Sequence, residues 1–477
     1  MKALIFTEGG KETGFGHITR CLALRDALKT KGIHARMIVH GDASARRQFP
    51  GQLDMIFDWL SQKSRTRELL NGASIVIVDS YLAPIDFYKK ISKTAPVCVY
   101  IDDFIRLSYP LGILVNGAID AEKLRYPQKE NLRRLLGAKY ALLRKDFRQI
   151  PKRNARRRIK NVLVTFGGMD RSVFINGMLS YLQPRFPQWH FHIITGQPSH
   201  HVFQSTKRVT YYRNITAQKM KQIMLHCDLA ISGGGQTTHE LAACGVPAAG
   251  ICFARNQRFN IQGWQRHGFL KDAGLSNDPS IFKNLEASLR QFTLERRCSM
   301  GEIGQKLVDG AGASRIAGEI FDSCFSFPKV QTRDRKQIFK WSNAPDARSV
   351  SFNTKPIKWS EHCQWFSKKL KDPRCLFFKI TWLDRAIGQV RFDRNGKKTS
   401  LSVALDRKFR GKGLGGPAIR IAAQHVFKIA PDLDAVDAFV KGNNAVSAKA
   451  FLKAGFRLAG TKKIKGQKAS RFSKGKA

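Results

Sequence analysis

Short apolar runs that end in glycine or aspartate, each followed by a helix-length stretch, recur over the first two thirds of the chain. In the first 150 residues they are ALIFT (3–7), ARMIVH (35–40), SIVIVDS (74–80), VCVYIDD (97–103) and ILVNG (113–117). A parallel strand needs a crossover long enough to bring the chain back, so this alternation predicts a parallel α/β sheet. After a polar, basic linker at 151–160 the pattern restarts with NVLVTFGG (161–168), HFHIITG (190–196), LAISGGG (229–235) and AAGIC (248–252), closing in a helical stretch around 303–325. The reading is two Rossmann-like lobes, 1–150 and 151–328, with a ligand cleft where the carboxyl ends of their strands face each other. From 329 to 465 the order changes to helices, then the consecutive strands CLFFKITW, AIGQVRFDR and KTSLSVALD, an α+β arrangement. The basic residues 466–477 read as a flexible tail on composition.

The formal net charge is +47. Such a surface attracts polyanions. The Lys and Arg are spread along the chain, however, and only KRNARRRIK (152–160) and the C-terminal residues are dense. Neither interleaves basic with aromatic residues as a base-stacking platform would, so nucleic acid is not the expected partner. Phosphorylated small molecules are. No run of about 20 apolar residues is present and the N-terminal apolar run is too short for a secretory signal, so a cytoplasmic protein without membrane contact is expected. Nine cysteines, an odd number with no CxxC pair, predict reduced core thiols and no structural metal. The Asp102-Asp103 pair lacks a His or Cys cluster beside it and reads as a polar strand end, not a metal site.

The stretch TGFGHITRC (13–21) follows the first strand run. Gly14 and Gly16 permit a sharp turn and close backbone approach to a ligand, and the helix that follows presents free N–H groups to a phosphate. His17 stands at the mouth of that turn. In the second lobe Gly167 ends a strand in VTFGGMD, and Gly234, Gly235, Gln236 and Thr237 form a glycine loop with amide and hydroxyl groups. Glu240 follows one helical turn in, placed to take ribose hydroxyls, and Asn256 and Gln257 open the next loop. Together they describe a nucleotide-sugar site split across two lobes. His190, His192, His200, His201 and His226 lie on no ligand-like spacing and read as structural or surface residues.

The first 325 or so residues resemble the two-lobed nucleotide-sugar enzymes of GT-B architecture, and among them the pseudaminic acid pathway hydrolase family. The matching motifs are a GxGHxxR turn (Gly14, Gly16, His17, Arg20), a strand ending in Asp79, the GxxYxLLRxxF segment from Gly137 to Phe147 with Arg144, FGGxD from Phe166 to Asp170, GGxxTxxE from Gly234 to Glu240, and Asn256-Gln257. The resemblance implies hydrolysis of UDP-2,4-diacetamido-2,4,6-trideoxy-β-L-altropyranose. UDP is already a good leaving group, so the chemistry needs chiefly a base that places and deprotonates one water, and His17 suits that task. The resemblance also implies substrate contacts from Arg20, Asp79, Arg144 and Asn256. Position 239 is His where relatives are expected to carry an aromatic residue such as Tyr.

The segment VALDRKFRGKGLGGPAIRIAAQHVF (403–427) places Arg410, Gly411, Gly413 and Gly415 in an R-x-x-G-x-G turn before a helix. Such a turn gathers backbone N–H groups around an anion. NNAVSAKAFLKAGF (443–456) follows. The pair resembles the GNAT N-acetyltransferases, which implies acetyl-CoA as cofactor, its pyrophosphate on the glycine turn and Asn444 against it. Phe451 stands where many relatives carry a general-acid Tyr, with Ser447 as a candidate helper. In pseudaminic acid synthesis, N-acetylation of a 4-amino group precedes UDP removal, so the fused domain is expected to act on that precursor, beside other enzymes of the same route. Two other readings fit parts of the chain. A glycosyltransferase would use the same cleft with an acceptor in place of water, and a basic nucleic-acid-binding protein would tolerate loss of His17.

Overall fold

The computed structural model describes residues 2–167, 171–195 and 205–476. The chain divides into two compact units, Met1–Phe321 and Asp322–Ala477. The first unit contains both sheets expected for the two lobes.

The first sheet comprises β1 (Ala3–Glu8), β2 (Ala35–His40), β3 (Met55–Ile56), β4 (Ile75–Asp79), β5 (Val97–Ile101), β6 (Gly112–Asn116) and β7 (Leu132–Leu136). Their order is β3-β2-β1-β4-β5-β6-β7, all parallel. β1, β4 and β5 are buried along their whole length, as helices on both faces require. The chain reverses its direction of travel across the sheet between β1 and β4. Ligands of open α/β sheets bind at such a switch point. TGFGH follows β1 and Asp79 ends β4, so both sit at that crevice.

The second sheet comprises β8 (Asn161–Thr165), β9 (His190–Thr195), β10 (Val209–Arg213), β11 (Leu229–Gly233), β12 (Ala248–Cys252) and β13 (Leu270–Leu275). Its order, β10-β9-β8-β11-β12-β13, is again parallel, with the switch between β8 and β11. Gly167 follows β8 and the Gly234–Thr237 loop follows β11. Ile119, Ala141, Leu143 and Phe147 from the end of the first lobe pack into one apolar cluster with Leu241, Trp264 and Phe269 of the second.

The second unit holds β14 (Phe325–Ser326), β15 (Cys375–Trp382), β16 (Arg385–Asn395), β17 (Lys398–Leu405), β18 (Ala435–Lys441), β19 (Arg457–Ile464) and β20 (Gln467–Gly475) in the order β14-β15-β16-β17-β18-β20-β19. All neighbours are antiparallel except β17 and β18, which the helix Gly415–Ile429 connects. The expected flexible tail is a correction: residues 467–475 form β20, paired on both sides and anchored by buried Ala469 and Phe472. Two apolar side chains on one face suffice here because the neighbouring strands satisfy the backbone.

No helix among the described residues is long and apolar enough to cross a membrane. Six of the nine cysteines are buried. Cys298 is exposed, against the expectation of core thiols throughout.

Candidate functional site

An open cleft of about 920 Å³ runs between the two switch points of the first unit. His17, Arg20, Tyr81, Asp103, Gly117 and Arg144 line it from the first lobe, and Gly167, Gly234, Gln236, His239, Glu240 and Asn260 from the second. The helix Gly16–Lys29 begins at the cleft with no side-chain cap, which leaves its first N–H groups for a ligand. Gly14 adopts φ +74°, a left-handed turn suited to glycine.

His17 is held from behind. Its Nδ1 lies 2.7 Å from Oδ1 of Asp79, a fully buried carboxylate. Arg20 reaches the same carboxylate through Nε at 2.7 Å and Nη2 at 2.6 Å, and donates through Nη1 to Asp103 at 2.8 Å. Burial opposes ionisation of Asp79, but Arg20 and His17 outweigh it and hold the carboxyl far below the usual range. An ionised Asp79 can accept from a protonated Nδ1, the tautomer with its lone pair on Nε2; Arg20 Nη2 lies 3.2 Å from the same Nδ1. Tyr81 meets the His17 ring edge-on at 4.4 Å and donates its hydroxyl to Asp103. Burial and Asp103 push the Tyr81 hydroxyl up, so it stays protonated. Asp79, expected as a substrate contact, lies behind the cleft wall instead and touches His17, Arg20 and Cys21.

In the second lobe Glu240 lies in the first turn of the helix Thr237–Ala243. Arg144 donates to its Oε1 from Nε at 3.0 Å and Nη2 at 2.7 Å. Burial pushes the Glu240 carboxyl up and Arg144 pulls it down. Gly234 is required by close approach, since a Cβ there would lie 2.8 Å from the Gln257 carbonyl. Gln236 donates to the Leu142 carbonyl at 2.9 Å, and Gln257 accepts from the Phe253 N–H at 3.0 Å. Both amides thus serve the loops first. Asn256 falls in the helix Arg255–Arg266, and its side chain lies outside what the structure describes, as do Gly168, Met169, Asp170, His200 and His201. His192 is buried between Asn161 and Tyr212, each at 3.0 Å, and His190 bonds Thr210 at 2.8 Å.

Sequence reasoning missed Tyr81 and Asn260. Tyr81 follows Asp79 by two residues, a spacing that could have flagged it. Asn260 donates to the Gly234 carbonyl at 2.6 Å from a helix the sequence did not connect to the loop. Asp103 is the second residue of the Asp102-Asp103 pair after β5. Its partners are Arg20 and Tyr81, while Asp102 accepts from Tyr126 at 2.7 Å. Among the described residues no cluster of three or more His, Cys, Asp or Glu is arranged to hold a metal ion.

In the second unit β17 and β18 pair only from Lys398–Ala435 to Leu401–Ala438 and then part. The residues of β17 beyond Leu401 lead to the turn before the helix Gly415–Ile429, with Gly411 and Gly413 at φ +73° and +75°. An added Cβ at either glycine would meet nothing within 4 Å, so the turn is open there. Arg410, expected at the cofactor, donates from Nε to the Leu405 carbonyl (2.8 Å) and from Nη1 to Asp346 (2.6 Å) and stays partly exposed. Asn444 accepts from the Ser447 N–H at 3.0 Å and caps the helix Ala445–Lys453. Phe451 is buried against Phe456 and Phe472.

Residues 327–457 match the acetyltransferase (GNAT) domain family. An uncharacterized protein of Methanocaldococcus jannaschii is 21% identical over 96% of this chain and 97% of its own length. The pseudaminic acid cytidylyltransferase and UDP-2,4-diacetamido-2,4,6-trideoxy-β-L-altropyranose hydrolase of Helicobacter pylori is 24% identical over 58% of this chain, which spans half of that protein's length. The spore coat polysaccharide biosynthesis protein SpsG of Bacillus subtilis is 22% identical over 67% of this chain and 97% of its own. Among solved structures, spermidine N-acetyltransferase from Vibrio cholerae in complex with CoA and spermine covers 32% of this chain and 95% of its own at 17% identity and a TM-score of 0.29. The chain is an enzyme, homologous to sugar-nucleotide-related proteins over about 60% of its length and ending in an acetyltransferase domain. The cofactor of that domain is acetyl-CoA.

Proposed function

We propose that the first unit hydrolyses UDP-2,4-diacetamido-2,4,6-trideoxy-β-L-altropyranose to UDP and the free sugar, with His17 as general base. The observation that carries this reading is the His17–Asp79 pair at the cleft, with Nδ1 fixed by a carboxylate and Nε2 left as the base. A water oxygen attacks the anomeric carbon and its proton passes to His17 Nε2. The bond from that carbon to the diphosphate oxygen breaks, and UDP leaves with the electron pair. N–H groups of the Gly234–Thr237 loop and of the first turn of Gly16–Lys29 stabilise the charge that builds on the diphosphate. The test is incubation with this UDP-sugar in the absence of any glycosyl acceptor. Equal amounts of UDP and reducing sugar support the reading, and UDP release only on adding an acceptor overturns it.

The second unit is proposed to N-acetylate the 4-amino precursor of the same sugar. Acetyl-CoA supplies the acetyl group. The Gly411–Gly415 turn holds its pyrophosphate through backbone N–H groups, and the parted edge of β17 takes the extended part of the cofactor. Asn444 orders the adjoining helix. Both substrates are polyanionic, which the basic surface favours, and both are cytoplasmic metabolites.

A further inference from the structure

The glycine turn of the second unit offers backbone N–H groups to a pyrophosphate. Coenzyme A carries a further phosphate, the monoester on its ribose, which the turn leaves without a partner. Such a group holds about −1.5 to −2 charges at pH 7. Its natural partners are side-chain cations with no other contact.

Two stand beside the turn. The helix Ala445–Lys453 ends against the start of the helix Gly415–Ile429: a Cβ added at Gly416 would lie 3.5 Å from the Lys453 Cβ and 3.6 Å from the Ala450 carbonyl oxygen. Lys449 and Lys453 are four positions apart and share one face of their helix. Both are exposed, and neither ammonium has a hydrogen bond or an ion pair among the described residues. Like charges at this spacing destabilise a helix. No Asp or Glu occurs from Lys441 to Lys476 to relieve them, and Asp437, the acid just before, is paired with Arg471 at 2.9 Å. The arginines near the turn are committed elsewhere, Arg410 to the Leu405 carbonyl and Asp346, and Arg420 to Asp322 at 2.6 Å. The two lysines thus form an uncompensated positive face next to a turn that suits an anion. A lysine ammonium is a compact charge on a flexible stem, which fits a phosphomonoester without a fixed fork geometry.

We propose that Lys449 and Lys453 bind the ribose 3′-phosphate of coenzyme A and so select the cofactor over its dephospho form. This rests on acetyl-CoA as cofactor and on the pyrophosphate seat proposed above, and is independent of which amine is acetylated. The test is calorimetric titration with CoA and with 3′-dephospho-CoA, which lacks only that phosphate. Wild type is expected to bind CoA about tenfold or more tightly, the size of a charge-assisted contact. Lys449→Gln combined with Lys453→Gln is expected to bind the two ligands alike, within about twofold of the wild-type affinity for dephospho-CoA. That retained binding also shows the fold to be intact. Lys397→Gln combined with Lys398→Gln removes the same charge at the other end of β17, about 23 Å along the strand from Leu405, and is expected to keep the preference. Equal wild-type affinities, a preference that survives loss of Lys449 and Lys453, equal weakening of both ligands, or loss of the preference in the distant pair would each overturn the assignment. Failure of the pyrophosphate seat is distinct: wild type would then bind neither ligand, and the assignment would fall with it.

Discussion

Asp79 sits fully buried behind His17, its Oδ1 2.7 Å from His17 Nδ1, while Arg20 braces both its oxygens. One carboxylate thus holds Nδ1 of His17 and anchors Arg20, three positions along the same helix. Replacing it with asparagine preserves volume but removes the charge that holds the Nδ1 proton. Asp79→Asn is predicted to lower kcat by on the order of 10²- to 10⁴-fold with little change in UDP affinity. Steady-state UDP release and UDP calorimetry read the two effects apart.

Arg144 and Glu240 form a pair in which Glu240 is nearly inaccessible. Removing the arginine strands a buried carboxylate. Arg144→Ala is predicted to cost about 3–5 kcal/mol of stability and to raise the Glu240 pKa further. Urea denaturation measures the loss. Arg144→Ala combined with Glu240→Gln should recover part of it.

Asp120 joins Arg266 at 2.8 Å and His267 at 2.8 Å, linking the end of β6 to the helix of the second lobe. Burial opposes ionisation, but His267, Arg266 and Lys123 hold its pKa well below the usual value. A depressed carboxylate contributes stability above its unfolded pKa of about 3.9, and that contribution is lost as pH falls toward the folded value. The thermal midpoint is therefore predicted to drop below about pH 4 in wild type. The drop should be shallower in Asp120→Asn, which starts from a lower midpoint at pH 7.

Phe451 stacks on Phe472 at 6.0 Å and meets Phe456 edge-on at 5.2 Å. A hydroxyl there would enter the core. Phe451→Tyr is predicted to leave CoA release unenhanced and to cost about 1–3 kcal/mol of stability. A thiol assay of CoA release and a melting curve test both parts.

The strands legible in the sequence are those buried from both sides. IVIVD of β4 and VCVYI of β5 are continuous apolar runs, because helices cover both faces. In the two parallel sheets the strands that went unread, β3, β7, β10 and β13, are the four edges. With one neighbour each they admit polar residues, such as the two arginines of β7, and lose the pattern. β20 was unread for a different reason. Its lysines and arginine lie on an antiparallel strand held by two apolar side chains, a composition that also fits a disordered tail. In the site, His17, Arg20, Gly234 and Glu240 could be named from glycine turns and spacing. That Asp79 faces His17 from behind the cleft wall, and that Arg144 meets Glu240 from 96 residues away, are tertiary facts that no local pattern encodes.

The most direct test of the account is single-turnover UDP release from UDP-2,4-diacetamido-2,4,6-trideoxy-β-L-altropyranose by wild type and His17→Gln, with UDP affinity measured on both. The account predicts fast release by wild type, a loss on the order of 10²- to 10⁴-fold in His17→Gln, and matching UDP affinities. Equal release rates from the two proteins would contradict it.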